Sequence, residues 1–191
     1  MTRSQVRAQI LEAILDATEA VAIEAGVGGL TVGAIAKKAG VAVGTLYNYY
    51  PNTDAILAAL FKQRRAVLLP AIEAAALSKG TFETRLRDTM TKLCAAYESH
   101  VDFLRVAVQV DRIGNKIKPR DTAINDATAN ALETVMKQGA REKRFLASRV
   151  APYTRMLHGS LRAMFVWRLT DDRSAPISAD LLVETFLHGV S

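Results

Sequence analysis

The sequence predicts an all-α protein of about nine helices, with a three-helix head at the N-terminus and a larger helical body behind it. Apolar residues recur at spacings of three and four over most of the 191 residues. Strand-like alternation, internal repeats, low-complexity tracts and long linkers are all missing from the pattern. Glycines at 26, 28, 29, 40 and 80 punctuate the periodic segments where helices should end.

Residues 4–25 read as the first helix, with Val6, Ile10, Ala13, Ile14, Ala17, Val21 and Ala22 as its inward stripe. Ahead of it Thr2, Arg3, Ser4 and Arg7 make a short basic arm, for which a frayed, solvated terminus is the plain expectation. Gly26, Gly28 and Gly29 permit a sharp reversal into Leu30.

The stretch Thr31–Tyr50, TVGAIAKKAGVAVGTLYNYY, organises the head. Val32, Ile35, Ala36 and Ala39 give a short helix one apolar face, and Thr31 is placed to cap it. Gly40 follows where a left-handed C-cap is expected, and Val41 supplies a buried anchor for the turn. A second helix from about Val43 to Tyr49 turns Leu46 and Tyr50 inward and Gly44, Thr45, Tyr47 and Asn48 outward. Two short amphipathic helices joined by glycine occur in many helical cores. Three details point further, to nucleic acid. No Asp or Glu occurs from Ala25 through Thr53, Lys37 and Lys38 sit late in the first helix of the pair, and the outer face of the second is polar but uncharged.

After the pair, Tyr50-Pro51-Asn52 stops one helix and caps the next, which carries Ile56, Leu57, Leu60, Phe61, Arg64 and Val67 up to an expected kink or break at Pro70. Thr81 then begins a helix with Phe82, Leu86, Met90, Leu93, Cys94 and Tyr97 on one face. Val101–Ile113 follows, then a basic loop Gly114–Arg120 and a long helix Asp121–Arg144 carrying Ala127, Ala131, Leu132, Val135 and Met136. Residues 149–170 are strongly apolar, with Val150, Tyr153, Leu157, Leu161, Met164, Phe165 and Trp167. Pro176 and Ser178 introduce a last helix with Leu181, Leu182, Phe186 and Leu187. The last two helices are apolar on more than one face, as a helix packed on its own domain and on a partner would be.

Composition narrows the class. No apolar run approaches the roughly 18 residues a membrane span needs, and the charged start is unlike a secretory leader. The single cysteine, Cys94, excludes an internal disulfide framework and fits a reducing cytoplasm. Three scattered histidines, His100, His158 and His188, show no metal-ligand spacing, so neither metal nor cofactor is expected. No catalytic triad, paired carboxylates or phosphate-binding loop stands out, so an enzyme is not expected. The net charge of +6 divides into +2 for residues 1–68 and +4 for the remainder, so basicity is not concentrated on the head.

Thr31–Tyr50 resembles the helix-turn-helix of the TetR family of transcriptional regulators, T-V-x-x-I-A-x-x-A-G-V-x-x-G-T-L-Y-x-Y-(F/Y), with every fixed position filled. The resemblance covers about the first third of the chain, continuing into the helix begun by Asn52 with Asp54, Ile56 and Leu57. It implies a DNA-binding domain over 1–68 and a regulatory and dimerisation domain over 69–191. It also implies that Tyr47, Thr53 and Thr31 meet phosphates, that Val43, Gly44, Thr45, Asn48 and Tyr49 face the major groove, and that Arg3 and Arg7 reach phosphate or the minor groove. Lys37 and Lys38 join the candidate DNA contacts. Two positions depart from the family pattern: Thr53 stands where lysine is frequent, and Ala42 where a capping serine is frequent.

For the body the resemblance implies a homodimer, with Leu157, Leu161, Met164, Leu182 and Phe186 as interface candidates. Small Gly159, Ser160 and Ala163 would permit close approach. Two heads would meet successive major grooves of a near-palindromic operator. An unidentified small-molecule effector is implied, with Phe82, Met90, Cys94, Tyr97, Phe103, Met156, Phe165 and Trp167 as candidate walls and His100, His158 and Arg105 as polar contacts. The expected function is a dimeric cytoplasmic repressor released from its operator by that effector. A ligand-independent or weakly specific DNA binder, and an activator or corepressor-type regulator, stay open.

Overall fold

The computed structural model describes residues 2–113, 122–170 and 177–190. Among these residues the chain is all-α: α1 (Arg3–Ala25), α2 (Val32–Ala39), α3 (Val43–Tyr47), α4 (Thr53–Ala75), α5 (Phe82–Glu98), α6 (Val101–Ile113), α7 (Thr122–Arg141), α8 (Val150–Thr170) and α9 (Ala179–Val190). The basic loop expected over Gly114–Arg120, and Pro176 ahead of the last helix, lie outside the described residues. Two compact units form, one of residues 1–65 with 102–120, the other of 66–101 with 121–191.

In the first unit α1 begins on a capping box. The Thr2 hydroxyl accepts the Gln5 N–H at 3.3 Å and the Gln5 amide oxygen accepts the Thr2 N–H at 2.8 Å. The expected frayed arm is therefore the ordered first turn of a helix. Ile14, Leu15, Ala17, Thr18, Val21 and Ala22 are buried, whereas Val6 is exposed. Periodicity marks the face of a helix; it does not mark where along the helix burial starts. The buried Thr18 hydroxyl is satisfied by donating to the Ile14 carbonyl at 2.7 Å.

Three carboxylates of α1, spaced four and three apart and so on one face, converge on Arg64 of α4. Its Nε donates to Glu19 at 2.8 Å and Nη1 to Glu12 at 3.2 Å, while Nη2 pairs with Asp16. Gln63 adds a bond to Glu12. Burial alone would pull the Arg64 guanidinium down, but bonds to Asp16 and Glu19 outweigh it and hold the group above its ordinary range, permanently charged. One turn earlier on α4, Phe61 meets Phe103 of α6 edge-on at 5.2 Å. From α6, Gln109 reaches back to accept the Val27 N–H at 3.1 Å, satisfying a backbone donor in the turn after α1.

In the second unit α4 continues through Pro70, without the break that was one expectation there. Pro70 and Ala66, whose carbonyl loses its helical partner at the proline, are both exposed, so water can satisfy that carbonyl. Leu68 and Ile72, two residues to either side, are fully buried and anchor the helix in the core, while Val67 is exposed. The α5 stripe is buried as expected, and Thr81 caps its start. From α7, Ile124, Thr128, Ala131, Leu132, Val135 and Met136 enter the core. Thr128 donates to the Ile124 carbonyl at 2.8 Å, so the Tyr97 hydroxyl, 2.7 Å away, must be the donor to Thr128.

A chain of edge-on rings runs from Phe82 to Phe145 (5.5 Å), Tyr153 (5.0 Å) and Phe186 (5.3 Å). Gly139 of α7 makes room for it, since a Cβ there would lie 2.8 Å from both Phe82 and Phe145. Arg87 of α5 ties down α9 by pairing with Asp180 at 2.9 Å and Glu184 at 2.5 Å.

Arg64→Met is expected to destabilise the protein by about 1–3 kcal/mol, because it leaves the half-covered carboxylates without their partner. A urea midpoint that falls with unchanged slope checks this. Glu12→Gln, which keeps an acceptor and leaves Asp16 and Glu19 paired, should cost less.

Candidate nucleic-acid interface

The helix pair is set by four local devices. The Thr31 hydroxyl accepts the Ala34 N–H at 3.1 Å and starts α2. Gly40 takes the left-handed conformation (φ 68°) that ends it. Val41 N–H bonds the Ala36 carbonyl at 3.0 Å and Gly40 N–H the Lys37 carbonyl at 3.3 Å, the paired closure of a Schellman turn. Leu46, fully buried, fixes α3 from beneath. Val41 is half-buried, a weaker anchor than expected.

The helix α3 is only five residues long and its N-cap, Ala42, makes no side-chain bond. Burial pushes the Tyr50 hydroxyl pKa up, in keeping with its inward position. Asn52 caps α4 through the Ala55 N–H at 2.8 Å, which places Thr53 at the helix start, half-buried.

The outer surface brings together most of the candidate contacts. Val43, Gly44, Tyr47 and Asn48 are exposed, with Tyr47 at 54% and Val43 at 45%, while Thr45 and Tyr49 are half-buried beside them. No charge lies on this face of α3. A Cβ added at Gly44 would meet nothing within 4 Å, so the fold itself gives no reason for glycine there.

The two lysines of α2 part company. Lys37 is exposed, whereas the Lys38 ammonium pairs with Glu24 of α1 at 2.5 Å. Arg3 and Arg7 stand exposed one turn apart on α1, and the Arg7 guanidinium lies 5.9 Å from the centre of the Tyr49 ring. Sequence reading missed that contact and the Arg64 cluster, because both join side chains distant along the chain.

The effector candidates divide. Phe82, Met90, Cys94, Tyr97 and Phe165 are buried in the second unit, with Tyr97 edge-on to Phe165 at 4.8 Å. Phe103 belongs to the first unit beside Phe61, and Arg105 lies in that unit too. Met156 and Trp167 are exposed on α8, at 47% and 68%. Burial and the nearby Glu98 push the Cys94 thiol up to about 11, so it is a thiol, not a thiolate, at neutral pH. Burial, then Arg162, lowers the His158 imidazole, against Asp126, and its Nε2 is enclosed without a hydrogen-bond partner. His100 Nδ1 lies 3.0 Å from Ser99 Oγ and 3.1 Å from the Ala96 carbonyl.

Of the interface candidates, Leu157, Leu161, Leu182 and Phe186 are buried in the protomer itself and Met164 is half-buried. The opposite side of α8 carries an open groove of about 550 Å³ lined by Gly159, Arg162, Ala163, Val166, Trp167 and Thr170. Among the described residues no group of His, Cys, Asp and Glu is arranged to hold a metal ion, and no helix is long and apolar enough to cross a membrane.

Residues 14–60 match the family model of the bacterial regulatory proteins of the tetR family. A fatty acid metabolism regulator protein of Bacillus subtilis is 37% identical over 79 residues, 41% of this chain and 41% of its own length. The HTH-type transcriptional repressor KstR of Mycolicibacterium smegmatis is 34% identical over 95 residues, 50% of this chain and 47% of its own. The chain thus matches less than half the length of these relatives. The Bacillus subtilis regulator FadR, solved in complex with stearoyl-CoA, shares the fold with a TM-score of 0.68 at 23% identity, covering 94% of this chain and 96% of that one.

Ala42→Ser should supply the missing cap of α3 and raise stability by about 0.5–2 kcal/mol. Thermal unfolding of the variant beside the parent chain measures it.

Proposed function

The chain belongs to the TetR family of transcriptional regulators, and from that premise we propose that it is a dimeric, sequence-specific repressor released from its operator by a small-molecule effector. On this reading residues 1–68 bind DNA and 69–191 sense and dimerise, in the cytoplasm, with residues 102–120 packed in one compact unit with the head.

The observation that carries the DNA reading is Gly44. Glycine inside a helix costs about 1 kcal/mol relative to alanine, and here open space surrounds it, so the protein interior does not require it. Close approach of something outside would. A backbone laid against the edges of bases in a major groove is that requirement. Around it Tyr47, Thr53 and Thr31 bond phosphates, Val43 and Thr45 pack on thymine methyls, and Asn48 reads adenine. Lys37 and Arg3 supply phosphate charge. Lys38, paired with Glu24, contributes less.

The second copy covers the groove side of α8. Met156, Gly159, Ala163, Val166 and Trp167, with Leu181 of α9, present apolar and small side chains to solvent, and a large exposed apolar patch marks an interface. Two such faces related by a two-fold axis pair α8 and α9 with their copies, and the heads then match two half-sites.

For the effector we take a long-chain acyl-CoA as the candidate, because the relative in Bacillus subtilis regulates fatty acid metabolism and the solved FadR holds stearoyl-CoA. The body's Phe82, Met90, Cys94, Tyr97 and Phe165 are the apolar groups an acyl chain would meet. Binding that favours a body conformation incompatible with DNA lowers operator affinity by the ratio of effector affinities in the two states.

Gly44→Ala should separate stability from function. It stabilises the fold by about 0.5–1 kcal/mol yet weakens operator binding, as read by thermal unfolding and fluorescence anisotropy of a labelled duplex. Trp167→Glu should give a monomer by light scattering with helical content unchanged. Trp167 is the one tryptophan, so its emission should be blue-shifted in the dimer and move to the red on dilution. Stearoyl-CoA at saturation should lower operator affinity at fixed salt; unchanged affinity rejects this effector class.

A further inference from the structure

We infer that Arg7 is a positioning residue for the DNA-reading face, holding Tyr49 in place through its ring, and is not itself a phosphate contact. This rests on the DNA-binding reading of the head. The helix α3 has five residues and no side-chain N-cap, so its orientation depends on what packs against its ends. Leu46 secures its middle. Tyr49 continues from its C-terminal end, its N–H bonded to the Leu46 carbonyl at 3.0 Å, and its ring is half-buried.

Over that ring lies the Arg7 guanidinium, 5.9 Å from the centroid, within the range where a cation is attracted to the aromatic face. Arg7 can serve this role because the Thr2–Gln5 capping box orders the start of α1, so the side chain projects from a fixed helix. Arg3, one turn earlier on the same side, has no such ring against it among the described residues and keeps the phosphate role. The two arginines at the start of α1 thus divide the work. Arg3 supplies charge, and Arg7 fixes the geometry of the residue that closes the recognition helix.

The test compares duplex affinity across a salt series for the full-length parent chain, Arg7→Ala, Arg7→Lys, Arg3→Ala, Tyr49→Leu and the Arg7→Ala/Tyr49→Leu double variant. An exposed cation–ring contact of ordinary strength predicts that Arg7→Ala weakens binding about two- to fivefold per head, roughly 4- to 25-fold for a dimer using both. The slope of log affinity against log salt should stay unchanged, Arg7→Lys should recover part of the loss, and Arg7→Ala should cost nothing further in the Tyr49→Leu background.

A loss of about 0.9 in salt slope per head on removing Arg7 would make it a phosphate contact and overturn the inference. So would an undiminished effect in the Tyr49→Leu background, or no effect at all. A parent chain that shows no preference among duplexes would overturn the DNA reading, a different failure, and this inference with it. Thermal unfolding of each variant keeps folding defects apart from binding, and the Arg3 and Arg7 single variants are expected to stay close to the parent because both side chains are exposed.

Discussion

A helix of five residues cannot hold itself in water, because one or two hydrogen-bonded turns do not repay the loss of backbone freedom. Everything about the DNA-reading face depends on that constraint. The α3 helix is held by the Gly40 turn before it, Leu46 beneath it and Tyr49 and Tyr50 after it, with no cap of its own. The surface it presents is correspondingly free of structural duties: Gly44, Tyr47 and Asn48 are exposed, and no contact within the protein accounts for the glycine. The scaffold supplies rigidity, and the short helix supplies contacts.

The scaffold in turn depends on charge placed where a helical stripe would otherwise be apolar. Glu12, Asp16 and Glu19 fall on one face of α1 and receive a single guanidinium from α4. Arg64 suits this role better than lysine would, since its planar fork offers separate donors to separate carboxylates. Because α4 is one continuous helix through Pro70, the segment that carries Arg64 also carries Leu68 and Ile72 of the second unit. Within the first unit, Gln109 of α6 on Val27 ties α6 to the turn after α1.

The head was legible in the sequence because its constraints are local. A cap, a left-handed glycine, a buried leucine and a run free of acidic residues all lie within twenty consecutive positions, and the structure puts Thr31, Gly40, Leu46 and Asn52 in those roles. The body was legible only as helices. Gly139 gives no sign in the sequence that Phe82 and Phe145 will close over it, and α8, apolar on more than one face, does not declare that Leu157 and Leu161 are buried while Trp167 is exposed. Proline's missing donor argues for a break at Pro70; burial of the neighbouring Leu68 and Ile72, with the freed carbonyl of Ala66 facing water, prevailed. The acidic cluster on Arg64 and the ring under Arg7 join residues more than forty positions apart and leave no periodic trace.

The most direct test of the account is selection of bound duplexes from a random pool, followed by affinity for the winner and for unrelated DNA at two salt concentrations. The account predicts a near-palindromic winner bound about 10³-fold or more tightly than unrelated DNA, with the preference retained as salt rises. Equal binding to all duplexes with one steep common salt slope would contradict it, leaving a basic helical protein without sequence readout.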